Sequence, residues 1–242
     1  MAPSTTVLPH ALLLWFCMFD SQMIVDGLMW YFAFLFSTVC HEAAHAWAAL
    51  RGGDKTAYHG GQVSLDPIPH IRREPFGMIL MPWLSFFLNG GQFMMGWASA
   101  PYDPYWARQY PKRAAWMSLA GPAANFALAI ASGLTIRFGL SLGVLQASER
   151  VLTNSGDGAM QLLHIMFFLN IVLGTFNLLP LPPLDGFTGI GIFLPESMAA
   201  RLEEFRQTAG MFQIVGLIVA WQVAGYFIGP VYAFASAVIL GR

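Results

Sequence analysis

Five stretches of this chain approach the roughly 20 apolar residues that a membrane-spanning helix needs, and they constrain every other reading. They are segment A (about 27–50), segment B (75–98), segment C (114–140), segment D (160–179) and segment E (211–240). Of the 242 residues, 56% are hydrophobic and 10% charged, whereas a soluble domain carries about 25% charged residues. The expected class is an all-α polytopic membrane protein with about four to six transmembrane helices, one membrane-embedded domain over 1–242, and the lipid bilayer as its solvent. A net charge of −1 gives no basis for a nucleic-acid partner.

Residues 11–19 (ALLLWFCMF) are apolar but short, with Asp20 and Asp26 after them, which suggests an interfacial or partly inserted segment. No Lys or Arg precedes Arg51, so the positive start of a cleavable signal is missing. Cys17 and Cys40 form no disulfide framework, and Cys40 reads as a small buried hydrophobe. Between A and B the chain is rich in Gly and Pro, with a short alternating piece at 62–65 (QVSL) that predicts a small strand-like region. The linker 99–113 carries Pro101, Pro104 and Pro111 and reads as extended. Residues 196–206 (ESMAARLEEFR) predict a short amphipathic helix with a solvated charged face. Segment E is expected to break near Gly229-Pro230.

The chemistry concentrates at the end of segment A, which reads CHEAAHAW over 40–47. His41 and His45 are four apart and share one helix face, so they can grip one Zn²⁺. Glu42 beside them can serve as general base, the arrangement of HExxH metallopeptidases. A pair of core histidines satisfied by hydrogen bonds is the competing reading. Ionisable groups inside a membrane helix are costly and usually functional, which weighs against it. A catalytic zinc needs a third protein ligand and an open position. Asp185 in NLLPLPPLDG (177–186) is the candidate, with Pro180, Pro182 and Pro183 ending segment D and Gly186 letting the chain turn.

HEAAH followed far downstream by NLLPLPPLDG resembles the site-2 protease family of intramembrane zinc metalloproteases. AGPAANF (120–126) in segment C is similar to that family's GPxxN element. GGQVSLDPIPHI (60–71) and GWASAPYDP (96–104) resemble a short bacterial branch without PDZ or CBS domains. The resemblance covers about 28–190 and departs at Asp66, where Asn is usual, and at Arg72, where Asp is usual. It implies one zinc per chain held by His41, His45 and Asp185, with Glu42 as catalytic base. Asn177 and Asn125 would lie near the site, orienting substrate or stabilising an oxyanion. It also implies a membrane-protein substrate with a transmembrane helix, cleaved in regulated intramembrane proteolysis. A strand-like 60–65 stretch could pair with the unwound substrate. The alternative is a membrane zinc-binding or transport protein without hydrolase activity. Glu42 discriminates, because a binder needs no base.

The metal also constrains topology. His41 and His45 lie near the end of A, and Asp185 lies just past the end of D. To share one ion, A and D must end on the same side, so one segment between them fails to cross. Segment B, interrupted by Pro82 and by the polar 89–92 (NGGQ), is the candidate for re-entry. With B re-entrant, nine of the twelve Lys and Arg fall on the side where A ends; with B spanning, seven do. The positive-inside rule then places the site toward the cytoplasmic side of the cell inner (plasma) membrane.

His59 and His70 read as loop histidines, with a role near the site open for His70. His164 reads as a packing or interhelical residue and His10 has no context. Trp30, Tyr31, Trp83, Trp97, Tyr102, Tyr105 and Trp106 read as interfacial belt residues.

Overall fold

A computed structural model describes residues 21–145 and 158–241. The proposed interfacial segment 11–19, together with His10, Cys17, Asp20, Arg150 and Arg242, lies outside the described residues. Among those described, all regular structure is helical. Four helices are long and apolar enough to cross a membrane: α1 (Ser21–Gly52), α6 (Pro111–Ser141), α7 (Gly158–Asn177), and α10 (Met211–Ala235) with its π-helical extension Ser236–Leu240. Segment E runs helically through Pro230, so the expected break does not occur. A proline removes one backbone donor, and the flanking turns here keep the helix going.

Helices α1, α6 and α7 form the core. Trp30, Ala33 and Phe34 of α1 pack against Ile165 and Leu169 of α7 and against Phe86 and Met94 of segment B. Trp30 is therefore a buried core residue rather than a belt residue, edge-on to Phe93 and Phe168 at 5.6 and 6.4 Å. Near the same end Asp26, which follows the apolar 11–19 run in the sequence, is buried inside α1. It accepts from Gln161 Nε2 of α7 at 2.8 Å and from Gln22 Nε2 at 2.9 Å. Helix α10 stands to one side: Ala220 and Ala224 pack on Leu179 and Leu184 beyond α7, Val231, Tyr232 and Ala235 pack on Ala129 of α6 and on Phe167 and Ile171 of α7, and most of its apolar surface stays exposed.

Segment B does not run as one spanning helix. It has five π-helical residues (Phe76–Leu80) and then the eight of α4 (Met81–Leu88). That is at most about 20 Å of helix at 1.5 Å per residue, short of the roughly 30 Å hydrocarbon core. Gly90 and Gly91, at φ +63° and +81°, reverse the chain. It returns without regular structure, Met95 N donating to Ser85 Oγ at 2.9 Å and Trp97 N to Gly77 O at 3.1 Å. Entry and exit are thus side by side, and α6 starts where α1 ended.

The expected strand at 60–65 is absent. These residues form turns and bends between α2 (Thr56–His59) and α3 (Pro67–Arg73). His70 holds them: it is fully buried, its Nε2 3.1 Å from Ser64 O and its Nδ1 3.4 Å from Gln62 Nε2. It anchors this segment and is not one of the group His41, His45 and Asp185. Asp66 caps α3 by accepting from Ile68 N at 2.9 Å, a task Asn performs equally well. His59 ends α2 and is exposed, whereas His164 is buried in α7 with Nδ1 2.9 Å from Met160 O.

The linker contains α5 (Pro104–Gln109), so it is only partly extended. The amphipathic helix is α9 (Glu196–Thr208), but its charged face is not fully solvated. Glu203 is completely buried and accepts from Tyr102 Oη at 2.7 Å and from Gln207 Nε2 at 3.0 Å. Arg206 pairs with Glu203 at 3.2 Å and lies over the Tyr102 ring at 4.6 Å. Burial pushes the Tyr102 phenol above its ordinary value against the pull of Arg206, so it stays protonated and donates. This knot ties α9 to the linker.

Candidate metal centre

The site is assembled by α1, α6 and the short helix α8 (Asp185–Gly189) that follows α7. His41 and His45 project from one face of α1, their Nε2 atoms 2.9 Å apart. Asp185 Oδ2 lies 3.2 Å from His41 Nε2 and 3.3 Å from His45 Nε2. The structure thus brings together the three side chains expected as ligands, although about 140 residues separate them in sequence.

Each imidazole is oriented through its other nitrogen. His45 Nδ1 donates to Met117 O at 2.7 Å, and His41 Nδ1 donates to Asn125 Oδ1 at 2.6 Å. With protons on Nδ1, both Nε2 lone pairs point at each other and at a carboxylate. Three acceptors this close require a shared positive charge. Four-coordinate zinc with bonds of about 2.0–2.1 Å sets its ligand atoms about 3.3 Å apart, and the separations here suit it. The donor set of two neutral imidazoles and one carboxylate also suits zinc. Burial opposes the charge on Asp185, and only positive charge at the facing Nε2 atoms, from an imidazole proton or a metal ion in its place, holds the carboxyl below its ordinary range.

Gly121 of α6 makes room for the cluster. A Cβ there would lie 2.7 Å from His41 Cε1 and closer still to both Nε2 atoms. Asn125, one turn on, reaches His41. The AGPAANF element therefore supplies both the space and the partner for the imidazoles. Asp185 is placed by the turns at 178–184, which include a cis Pro182-Pro183 bond. Gly186 is needed for close approach rather than for a left-handed turn, because a Cβ on it would fall on the Leu178 carbonyl. Beyond α8, Lys112 Nζ of α6 donates to Gly191 O at 3.1 Å, to Ile192 O at 2.8 Å, and to Leu194 O. It thereby ties down the 3₁₀ turn (Ile190–Phe193) that continues the Asp185 helix.

Comparison with known proteins agrees with this arrangement. The model of "Peptidase family M50" matches residues 142–221. "Putative zinc metalloprotease YwhC" of Bacillus subtilis is 34% identical over 169 residues, 69% of this chain and 70% of that protein. This chain belongs to peptidase family M50. "Putative zinc metalloprotease Rip2" of Mycobacterium tuberculosis is 31% identical to this M50 chain over 199 residues, covering 82% of it and 69% of Rip2. The protein of the same name from Mycolicibacterium smegmatis is 28% identical over 200 residues, 83% of this chain and 70% of that one. No solved structure matches.

The other expected site residues of this metalloprotease sit as follows. Glu42 is buried in α1, and its carboxylate makes no hydrogen bond or ion pair among the described residues. Asn177 ends α7, half-buried, with Nδ2 donating to Leu173 O at 3.0 Å. Asn125 is completely buried, with its Nδ2 donating to Asn170 Oδ1 at 2.8 Å. Asn170 and Ser37 went unnoticed in the sequence. The signal for Asn170 was there, because an amide in the middle of an apolar spanning helix is expensive unless something uses it.

Proposed function

We propose that this chain is an intramembrane zinc metalloendopeptidase that hydrolyses peptide bonds in or near transmembrane segments of membrane proteins. The observation that carries this reading is the convergence of His41, His45 and Asp185 beside an unpaired, buried Glu42. A zinc-binding or transport protein needs the three donors but not the fourth group.

In this mechanism His41, His45 and Asp185 would hold the ion. When bound, the zinc supplies Lewis-acid polarisation of the scissile carbonyl and of water. Glu42 takes the proton of the attacking water and returns it to the departing amide nitrogen. Its lack of a partner leaves both oxygens free for that work. Asn177 keeps one amide hydrogen beyond its bond to Leu173 O and can donate it to the developing oxyanion. Asn125 has no exposed surface and its amide is held by His41 and Asn170, so it serves His41 rather than substrate. The substrate must unwind at the cleaved bond, since a helix hides its carbonyls in its own hydrogen bonds. The 60–65 stretch offers it no strand edge.

The reading is tested with the full chain in liposomes beside a single-span membrane-protein substrate. A zinc chelator is expected to stop cleavage, and added Zn²⁺ to restore it. Cleavage that persists without metal would overturn the reading. The distribution of Lys and Arg supports a site toward the cytoplasm, with α1 and α7 both ending there. Reporters fused near Lys55 and near Trp106 are expected on that same face. Opposite faces would refute the re-entrant path.

A further inference from the structure

His41 Nδ1 is the first link of a hydrogen-bond chain that runs through α6 and α7 and returns to α1. Asn125 Oδ1 accepts from His41, Asn125 Nδ2 donates to Asn170 Oδ1 at 2.8 Å, and Asn170 Nδ2 donates to Ser37 Oγ and to Met166 O, both at 2.8 Å. Ser37 lies one turn before His41 on α1, so the circuit closes. Ser37, Asn125 and Asn170 have no exposed surface. No water competes for these bonds, and their polarity is set from within the protein.

That polarity has one origin. A backbone carbonyl can only accept. Met166 O therefore requires the Nδ2 end of Asn170, which turns Oδ1 toward Asn125. An amide oxygen can only accept, so it requires the Nδ2 end of Asn125, which turns Oδ1 toward His41. That oxygen in turn requires a proton on His41 Nδ1. The lone pair of His41 then sits on Nε2, the atom that faces His45 and Asp185. His45 receives the same instruction directly from Met117 O. An opposite orientation of either amide would set two acceptors or two donors against each other in a buried site.

We propose that Asn170 is a positioning residue of the metal centre: it fixes the amide of Asn125 so that His41 presents Nε2 to the metal. This rests on the reading of His41 as a metal ligand. Without Asn170 the Asn125 amide can reverse, and a reversed amide selects the His41 tautomer that cannot bind. Outer partners of ligating histidines typically matter 10- to 100-fold in metal affinity.

The test is zinc affinity by chelator competition on the folded, detergent-solubilised full chain, together with the d–d absorption of the Co²⁺ form. His41→Ala is expected to lose at least about 100-fold in affinity, and Asn170→Ala about 10- to 100-fold with an altered Co²⁺ spectrum. Asn170→Asp keeps the accepting oxygen and, protonated in its apolar surroundings, still donates to Met166 O. It is expected to stay within about threefold of the parent chain. Ser37→Ala removes a link of the helix clamp without altering the polarity, and is also expected within about threefold. Asn125→Asp presents an acceptor to His41 whichever way it turns. The double variant Asn125→Asp/Asn170→Ala should therefore recover affinity to within about threefold of the parent, and Asn170→Leu, which keeps the side-chain volume, replaces Asn170→Ala in both arms where alanine fails to fold. Parent-like affinity and spectrum in Asn170→Ala would overturn the proposal. So would a double variant still weakened tenfold, or a Ser37→Ala loss equal to that of Asn170→Ala, since these mark a merely structural role. If His41→Ala itself binds zinc normally, the ligand reading has failed; if only the Asn170 arms fail, the ligand reading stands.

Discussion

Replacing Glu42 with Gln is expected to abolish proteolysis while leaving zinc in place. The amide is isosteric with the carboxylate, and Glu42 has no hydrogen bond or ion pair to lose, so packing at this buried position is kept. Only the capacity to take and return a proton disappears. General-base groups contribute typically 10²- to 10⁴-fold, so kcat should fall by about 10³-fold with the zinc content near one per chain. The measurement is cleavage rate per bound zinc in liposomes. A variant that cleaves at the parent rate would remove Glu42 from the mechanism. A variant that loses its zinc would make Glu42 part of metal retention instead.

Gly121→Ala is expected to have the second large effect, on metal affinity rather than on turnover. Its methyl group would meet the His41 and His45 rings, which cannot retreat while their Nδ1 atoms are held by Asn125 and Met117. Alanine normally favours a helix interior by about 1 kcal/mol over glycine, so a backbone effect alone would stabilise α6. The predicted outcome is a chain of parent-like helix content whose zinc affinity drops by about 10- to 100-fold, the range seen when the groups that orient ligating histidines are disturbed. Chelator competition and circular dichroism on one sample check both halves. Unchanged affinity would mean that the rings tolerate the shift.

Much of this was legible in the sequence because it depends on local spacing. An i, i+4 histidine pair shares a helix face wherever that helix sits, and long apolar runs read as spans without knowledge of their neighbours. The demand that His45 and Asp185 meet carried information over long range, and it anticipated that segment B would turn back. What was not legible depends on which neighbour covers a residue. Glu203 looks solvated on its own helix and is buried only because Tyr102 and Arg206 close over it. Trp30 looks like a belt residue until α7 and segment B are packed around it. The 62–65 alternation suits a strand, but no second strand pairs with it, and His70 fixes the piece as turns. Asn125 was noticed for its motif, but its partner Asn170 lies 45 residues on and carries no spacing signal.

X-ray absorption at the zinc edge of the purified chain tests the proposed ligand set most directly. The predicted first shell contains two imidazole nitrogens and oxygen donors at about 2.0–2.1 Å. The imidazole scattering should fall by half in His41→Ala, and the metal should be lost or weakened in Asp185→Ala. A sulfur shell near 2.3 Å, which would bring Cys40 into the site, or a spectrum unchanged by both substitutions, would contradict the placement of zinc between α1 and α8.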